Sequence, residues 1–369
     1  MPRSVVVVFL LVMQRASIFF TLKRKVSIMP TSHSSDLVLA YLRNSLAAQA
    51  NGQTDHAAFL FDQAVEWLGH NEREYWAATS IPPVQLEIGI GLDAGNNPSR
   101  TKNEDYVFAE RLVRSGDRET VGIFVLADGA GGHANGQEAS RIAVHAFVDE
   151  VLPRLMGNVR GLALKDLLLD GMREANKAVC LRNEDPLLFG RIMATTMTAV
   201  LSVGAEAYIA NVGDSRTYLC RPGVGLKQLT RDHSYVAQLL EAGDIEPRDV
   251  YTHPKRNIIY RSLGEINVDL DEPGYLQLQN GDILLLCSDG LWEMVRDPEA
   301  KAIHAILSDS EADASEMAEA LVDLALNGGG HDNIGLLVIK TGLIVEDLKT
   351  IIVPSFAQRV EMQAVASLS

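Results

Sequence analysis

Five acidic positions in this chain share one local design. Glu104-Asp105 opens a strand-type run, Asp128 and Asp289 close strand-type runs, Asp214 sits in a tight turn, and Asp332 stands just ahead of the last apolar run. Each has a glycine or a small polar residue beside it. Strand ends in a compact sheet protein gather at one edge, so these carboxylates can converge there. Carboxylates brought close repel unless a cation sits between them. All-oxygen ligation suits magnesium or manganese, whereas zinc or copper calls for histidine or cysteine. Two such ions about 4 Å apart clamp a phosphoryl group and bring the pKa of bound water towards neutrality. Arg100, four residues ahead of Glu104, can fork two phosphate oxygens at once.

Other chemistries find little support. No GK[ST] glycine loop and no nucleophile elbow occurs, which removes ATP turnover by a P-loop and an acyl-enzyme. His133, His233, His253 and His331 are scattered without ligand spacing and read as structural. The formal net charge of −15 leaves no basic surplus for neutralising phosphates and argues against nucleic-acid binding. Cys180, Cys220 and Cys287 lie far apart in apolar or strand-like contexts, as reduced thiols of a cytosolic protein do.

The elements that must position the carboxylates can be read from periodicity. VGIFVLAD (121–128) is an apolar, β-branched strand delivering Asp128 to its end, and the glycines at 129, 131 and 132 turn the chain. Asn135 with Glu138 reads as the start of a helix from about Gln137 to Leu155, and a second helix follows from Leu162 to Leu181. QLEIGIGL (85–92) alternates as a half-buried strand. MTAVLSV, AYIANV and RTYLC are three more strands, with turns at Gly204 and at Gly213-Asp214-Ser215. Asp232 to Arg261 is polar and irregular around a short helix. DILLLCSD ends in Asp289. Asp297-Pro298 reads as a helix start with proline in the first helical position, and a further helix runs to about Asn327, where three glycines stop it. IGLLVIK is the last strand.

Outside this region the chain divides into three parts. Residues 1–28 hold an apolar run interrupted by Gln14 and Arg15 and then Lys23, Arg24 and Lys25. A spanning helix needs roughly twenty consecutive apolar residues, so this stretch is too short and broken. Three readings stand for it: translation starting at Met29, a membrane-associating segment, or a cleaved signal. Residues 29–84 read as a helical hairpin packed on the main domain, closed by the stiff Ile81-Pro82-Pro83 linker, and 341–369 as a tail without a motif.

Seven motifs then fall in one order: RTKNED (100–105), ADGAGGH from Ala127, ATT (194–196), NVGDSR from Asn211, HPKRNIIYRSLG from His253, CSDGLWEMV from Cys287 and HDNIG from His331. Together they closely resemble the metal-dependent serine/threonine protein phosphatases of the type 2C family, in their compact bacterial form, over residues 85–340. The resemblance implies an α+β fold: a four-layer α/β/β/α sandwich with two central antiparallel sheets flanked by helices. It implies two ions, Mn2+ or Mg2+, with Asp128 bridging both, Glu104 and the Gly129 carbonyl serving one, and Asp289 and Asp332 the other. A third, looser ion would sit at Asp214 and Asp289. Asp105 would orient metal-bound water, Arg100 would bind the substrate phosphate, and residues 232–261 would form a flap beside the cleft.

The activity so implied is cytoplasmic hydrolysis of phosphoserine and phosphothreonine in phosphoprotein substrates, opposing a bacterial Ser/Thr kinase, by direct attack of a metal-bridging hydroxide. The competing class is a phosphoprotein-binding module that keeps the fold and has lost turnover. Two positions depart from the family pattern. Ala130 stands where some members carry a histidine suited to protonating the leaving group, and Ala194 replaces a glycine.

Overall fold

A computed structural model describes residues 84–98, 102–114, 119–130, 135–157, 159–188, 192–297 and 300–343. The leader, the helical hairpin with its Ile81-Pro82-Pro83 linker, the tail beyond residue 343, Arg100 and His133 lie outside the described residues, and the last strand runs three residues into the stretch read as tail.

Two five-stranded antiparallel sheets form the centre. The strands are β1 (Val84–Asp93), β2 (Asp105–Val113), β3 (Thr120–Asp128), β4 (Met197–Val203), β5 (Glu206–Val212), β6 (Arg216–Arg221), β7 (Gly225–Gln228), β8 (Gly274–Gln277), β9 (Ile283–Cys287) and β10 (Ile334–Leu343). One sheet has the order β1-β10-β9-β6-β7 and the other β2-β3-β4-β5-β8. Helices α1 (Gly136–Leu155) and α2 (Leu162–Asn183) cover the second sheet. Helices α4 (Asp289–Val295), α5 (Lys301–Leu307) and α6 (Ala314–Asn327) cover the first, and α3 (Tyr235–Ala242) lies in the irregular segment after β7. This is the four-layer sandwich that the resemblance implies.

Period-two alternation explains the layers. In β3, Ile123 and Val125 face α1 and α2 while Phe124 and Leu126 face the opposite sheet. A strand covered on both faces reads as an unbroken apolar run. The inter-sheet core joins Val107, Phe124 and Val200 to Leu86, Leu284 and Leu337. β1, at a sheet edge, instead buries Leu86 and exposes Gln85 and Glu87, the alternation its sequence shows.

Local chemistry differs from expectation at two helix starts. Asn135 does begin α1, but in a left-handed conformation with φ 64°, and its side chain accepts no capping bond. Its amide instead donates to Glu138 Oε2 at 3.3 Å, and its carbonyl receives the Glu138 and Ala139 N–H groups. α5 begins at Lys301 behind a left-handed Ala300, not at residue 298; Asp297 reaches forward to accept from the Ala302 N–H at 3.2 Å. Helix α4 was not legible as a helix, and β7 and β8 are short, largely uncovered strands. Cys220 and Cys287 are buried and Cys180 partly so, all as free thiols. Among the described residues no helix is long and apolar enough to cross a membrane.

Candidate active site

Asp128, the last residue of β3, pairs directly across the ladder with Asp105, the first residue of β2. Two neighbouring threonines hold the Asp128 backbone. Thr196 Oγ1 accepts from the Asp128 N–H at 3.0 Å, while the Thr195 hydroxyl and the Thr196 N–H donate to the Asp128 carbonyl at 2.7 and 2.8 Å. With every backbone polar group engaged, the carboxylate is left to project at a fixed place.

The chain then turns through Gly129, where no side chain fits: a Cβ there would lie 2.2 Å from the Gly136 carbonyl oxygen. A Cβ on Gly136, in turn, would come 3.0 Å from the Gly129 oxygen and 3.1 Å from the Glu104 carboxyl carbon. The Glu104 carboxylate and the Gly129 carbonyl therefore meet at the start of α1. The Glu104 main chain is fixed as well, its carbonyl accepting from the Gly129 N–H and the Ser140 hydroxyl.

Asp289 and Asp332 arrive from the other sheet. β9 ends at Cys287, and Ser288 donates its hydroxyl to Asp105 Oδ2 at 2.7 Å while accepting from the Gly335 N–H at 3.0 Å. The following Asp289 opens α4. Gly290 packs on the chain beside Asp332; a Cβ there would sit 1.8 Å from the Asn333 carbonyl oxygen. Asn333 sews the strand starts together, accepting from the Glu104 N–H at 2.9 Å and donating to the carbonyls of Ala94 and Lys102 at 3.0 and 3.1 Å.

Asp214 occupies the β5–β6 turn, where Gly213 adopts φ 101°. Its carbonyl receives the Trp292 indole N–H at 3.1 Å from within α4, so the turn is tied to the helix that Asp289 opens.

Carboxylates dominate the charge balance of this cluster, with Arg216 and Arg256 opposing at its margin. Burial pushes the Asp128 carboxyl well above the usual range, and Asp105, Asp289, Asp332 and Asp214 push it further in that order. Asp289 is raised well above its ordinary value by burial and then by Asp214, Asp332, Glu293 and Asp105. Asp214 is pushed up to about 7, first by burial and then by Asp232. Burial also raises Glu293, with the Arg256 guanidinium opposing. Among the described residues no three acidic, histidine or cysteine side chains close into a cage for a single ion. The cluster is wider, which suits magnesium-type ions that keep several waters in their coordination shell. A half-buried set of oxygen donors in which carboxylates are the largest charges acting on Asp128 fits divalent metal.

The structure thus brings Glu104, Asp105, Asp128, Gly129, Asp214, Asp289 and Asp332 to one end of the sandwich. Residues that sequence reasoning passed over include Thr195, Thr196, Ser288 and Asn333, which aim the carboxylates, and Glu293, one helical turn from Asp289. All five lie inside the motifs already quoted, so the signal was position in the motif. Ala130, the residue after the Asp-Gly turn, donates its N–H to the Ala194 carbonyl at 3.0 Å and brings no acid to the site.

Comparison with known proteins agrees with this geometry. The chain is 37% identical over 222 residues to the serine/threonine phosphatase stp of Listeria monocytogenes, covering 60% of this chain and 85% of that one. The crystal structure of the Mycobacterium tuberculosis serine/threonine phosphatase PstP/Ppp superposes with a TM-score of 0.58 at 35% identity, over 69% of this chain and 98% of that one. A structure of the PstP catalytic domain in complex with 2 manganese ions gives a TM-score of 0.58 at 33% identity, over 70% and 99% of the two chains. The family profile described as Protein phosphatase 2C matches residues 99–325, more than half of the sequence, and the chain belongs to that family of serine/threonine phosphatases.

Proposed function

We propose that this protein removes phosphate from phosphoserine and phosphothreonine side chains of cytoplasmic proteins with two manganese or magnesium ions, reversing the work of a bacterial-type Ser/Thr kinase. The observation that carries the reading is the convergence of Asp105, Asp214, Asp289 and Asp332 on Asp128, where after burial the largest effects on the Asp128 carboxyl all come from other carboxylates.

Asp128, Glu104 and the Gly129 carbonyl would hold one ion, and Asp128, Asp289 and Asp332 the other; Asp214 with Asp289 would hold a third, looser one. When bound, the pair supplies positive charge to the phosphoryl oxygens and lowers the pKa of water towards neutrality. Arg100 would fork the phosphate. Asp105, steadied by the Ser288 hydroxyl at 2.7 Å, orients the attacking water. Attack in line with the ester oxygen forms the new P–O bond as the old one breaks, and no side chain becomes phosphorylated. Ala130 carries no proton for the leaving serine or threonine oxygen, a proton that water can supply.

The test uses the full chain with a phosphothreonine peptide, a phosphoserine peptide and a phosphotyrosine peptide, each with manganese, with magnesium and with EDTA. Phosphate release from the first two that EDTA abolishes supports the reading. Binding of the phosphopeptides without release under either metal would contradict it and favour a binding module.

A further inference from the structure

Two buried residues outside the carboxylate ring grip the turn that carries Asp214. The His233 N–H donates to the Gly213 carbonyl at 2.9 Å, and His233 Nδ1 accepts from the Gly213 N–H at 3.2 Å. That acceptor role leaves the ring proton on Nε2, which donates to Asp271 Oδ2 at 2.9 Å. Arg261 also reaches Asp271, with Nη1 2.5 Å from Oδ1.

The neighbouring Asp232 works from the other side. It receives Arg216 Nε at 3.1 and 3.0 Å on its two oxygens and Nη2 at 2.7 Å, with Gln228 Nε2 at 2.8 Å. The Arg216 guanidinium, so held, lies 3.6 Å from the centre of the Trp292 ring, and Trp292 is the residue that donates to the Asp214 carbonyl. The peptide before Asp214, the carbonyl of Asp214 and the side chain two residues later are therefore all fixed, and Asp232 or His233 stands behind two of these three restraints.

The same two residues begin the irregular 232–261 segment. Ser234 bridges to Ile259, the Tyr260 N–H donates to the His233 carbonyl at 2.9 Å, and Arg261 closes on Asp271. Both ends of the segment thus meet at the Asp214 turn. We infer that Asp232 and His233 are positioning residues that set the Asp214 carboxylate against Asp289 and couple the 232–261 segment to the occupancy of the third metal position proposed at Asp214 and Asp289. This rests on the two-metal phosphatase reading above. Packing alone would make the pair interchangeable with any buried polar contact, such as Asp282 with Arg221 in the β6–β9 region.

Side-chain shape separates the two. Asparagine places a polar atom near the position of Nδ1 and keeps the Gly213 contact, whereas glutamine reaches towards Nε2 and loses it. The experiment compares the full-length protein with its His233→Gln, His233→Asn, Asp232→Asn, Asp271→Asn and Asp282→Asn forms. It reads phosphate release against manganese concentration, manganese bound per chain by electron paramagnetic resonance, peptide KM and thermal melting. His233→Gln and Asp232→Asn are expected to raise the manganese requirement about 10-fold, in line with losses at residues that orient metal ligands. They should bind the weakest manganese less tightly, keep KM within about twofold and recover kcat at high manganese. His233→Asn should restore most of the response. Asp271→Asn, at a partly exposed carboxylate, should shift it in the same direction by less.

Manganese titrations that match the wild type in His233→Gln, Asp232→Asn and Asp271→Asn, with melting lowered as in Asp282→Asn, would overturn the inference. A wild-type protein without metal-dependent release would instead overturn the phosphatase reading, while the manganese-binding data would still judge the positioning role.

Discussion

Asp105 and Asp128 stand opposite one another at the mouth of the β2–β3 ladder. Like charges directly across a pair of strands destabilise it by up to about 1 kcal/mol. Replacing Asp128 with asparagine should therefore separate function from stability. We expect Asp128→Asn to lose activity about 1000-fold, equivalent to about 4 kcal/mol of barrier, yet to melt higher than the wild type in EDTA. Phosphate release and thermal unfolding of the same preparations check both halves.

The raised carboxyl groups give the metal-free protein a signed pH dependence. Asp214 holds its proton up to about 7, because of burial and then Asp232, whereas an unfolded aspartate lets go near 4. A carboxyl whose folded pKa is raised contributes stability that is complete below the unfolded value and is lost as pH rises through the folded one. In EDTA, melting should fall by a few degrees between pH 5 and pH 8. Asp214→Asn should show a smaller fall, and manganese should offset it. An equal fall in wild type and Asp214→Asn would contradict the assignment.

Gly290 is the point where the start of α4 presses on the chain beside Asp332. A methyl group 1.8 Å from the Asn333 carbonyl oxygen must move one of them. Gly290→Ala should cost about 3 kcal/mol in urea unfolding and displace Asp289 from Asp332, so manganese affinity falls along with stability.

Thr196→Val keeps the shape of the side chain and removes its hydroxyl. The Asp128 N–H loses its acceptor, and the Ser215 hydroxyl loses a partner at 2.7 Å. A loss of about 10-fold in kcat with little change in KM, measured on a phosphothreonine peptide, is the expected outcome.

Much of this architecture is legible before any coordinate. The continuous apolar run into Asp128 marks a strand covered on both faces, and the alternating Leu86 to Leu92 run marks an edge. The acidic positions were legible because each lies at a strand end or turn beside small residues. Legibility fails where long-range contacts decide. α4 is a seven-residue helix whose identity comes from Trp292 and Leu291 packing beneath β9 and β10, not from a local cap. β7 and β8 pair at sheet edges with few apolar residues to announce them. Asn135 looked like a side-chain cap, and its backbone adopted the left-handed form instead. His233 read as a plain structural histidine because Gly213, its partner, lies twenty residues away in the sequence.

The most direct test of the account is phosphate release from a phosphothreonine peptide by the full chain and by its Asp289→Asn form, with manganese binding followed in parallel. The account predicts metal-dependent release by the wild type, at least two manganese ions bound per chain, and loss of both release and one bound ion in the variant. Equal release by the two proteins, or release by the wild type undiminished in EDTA, would contradict it.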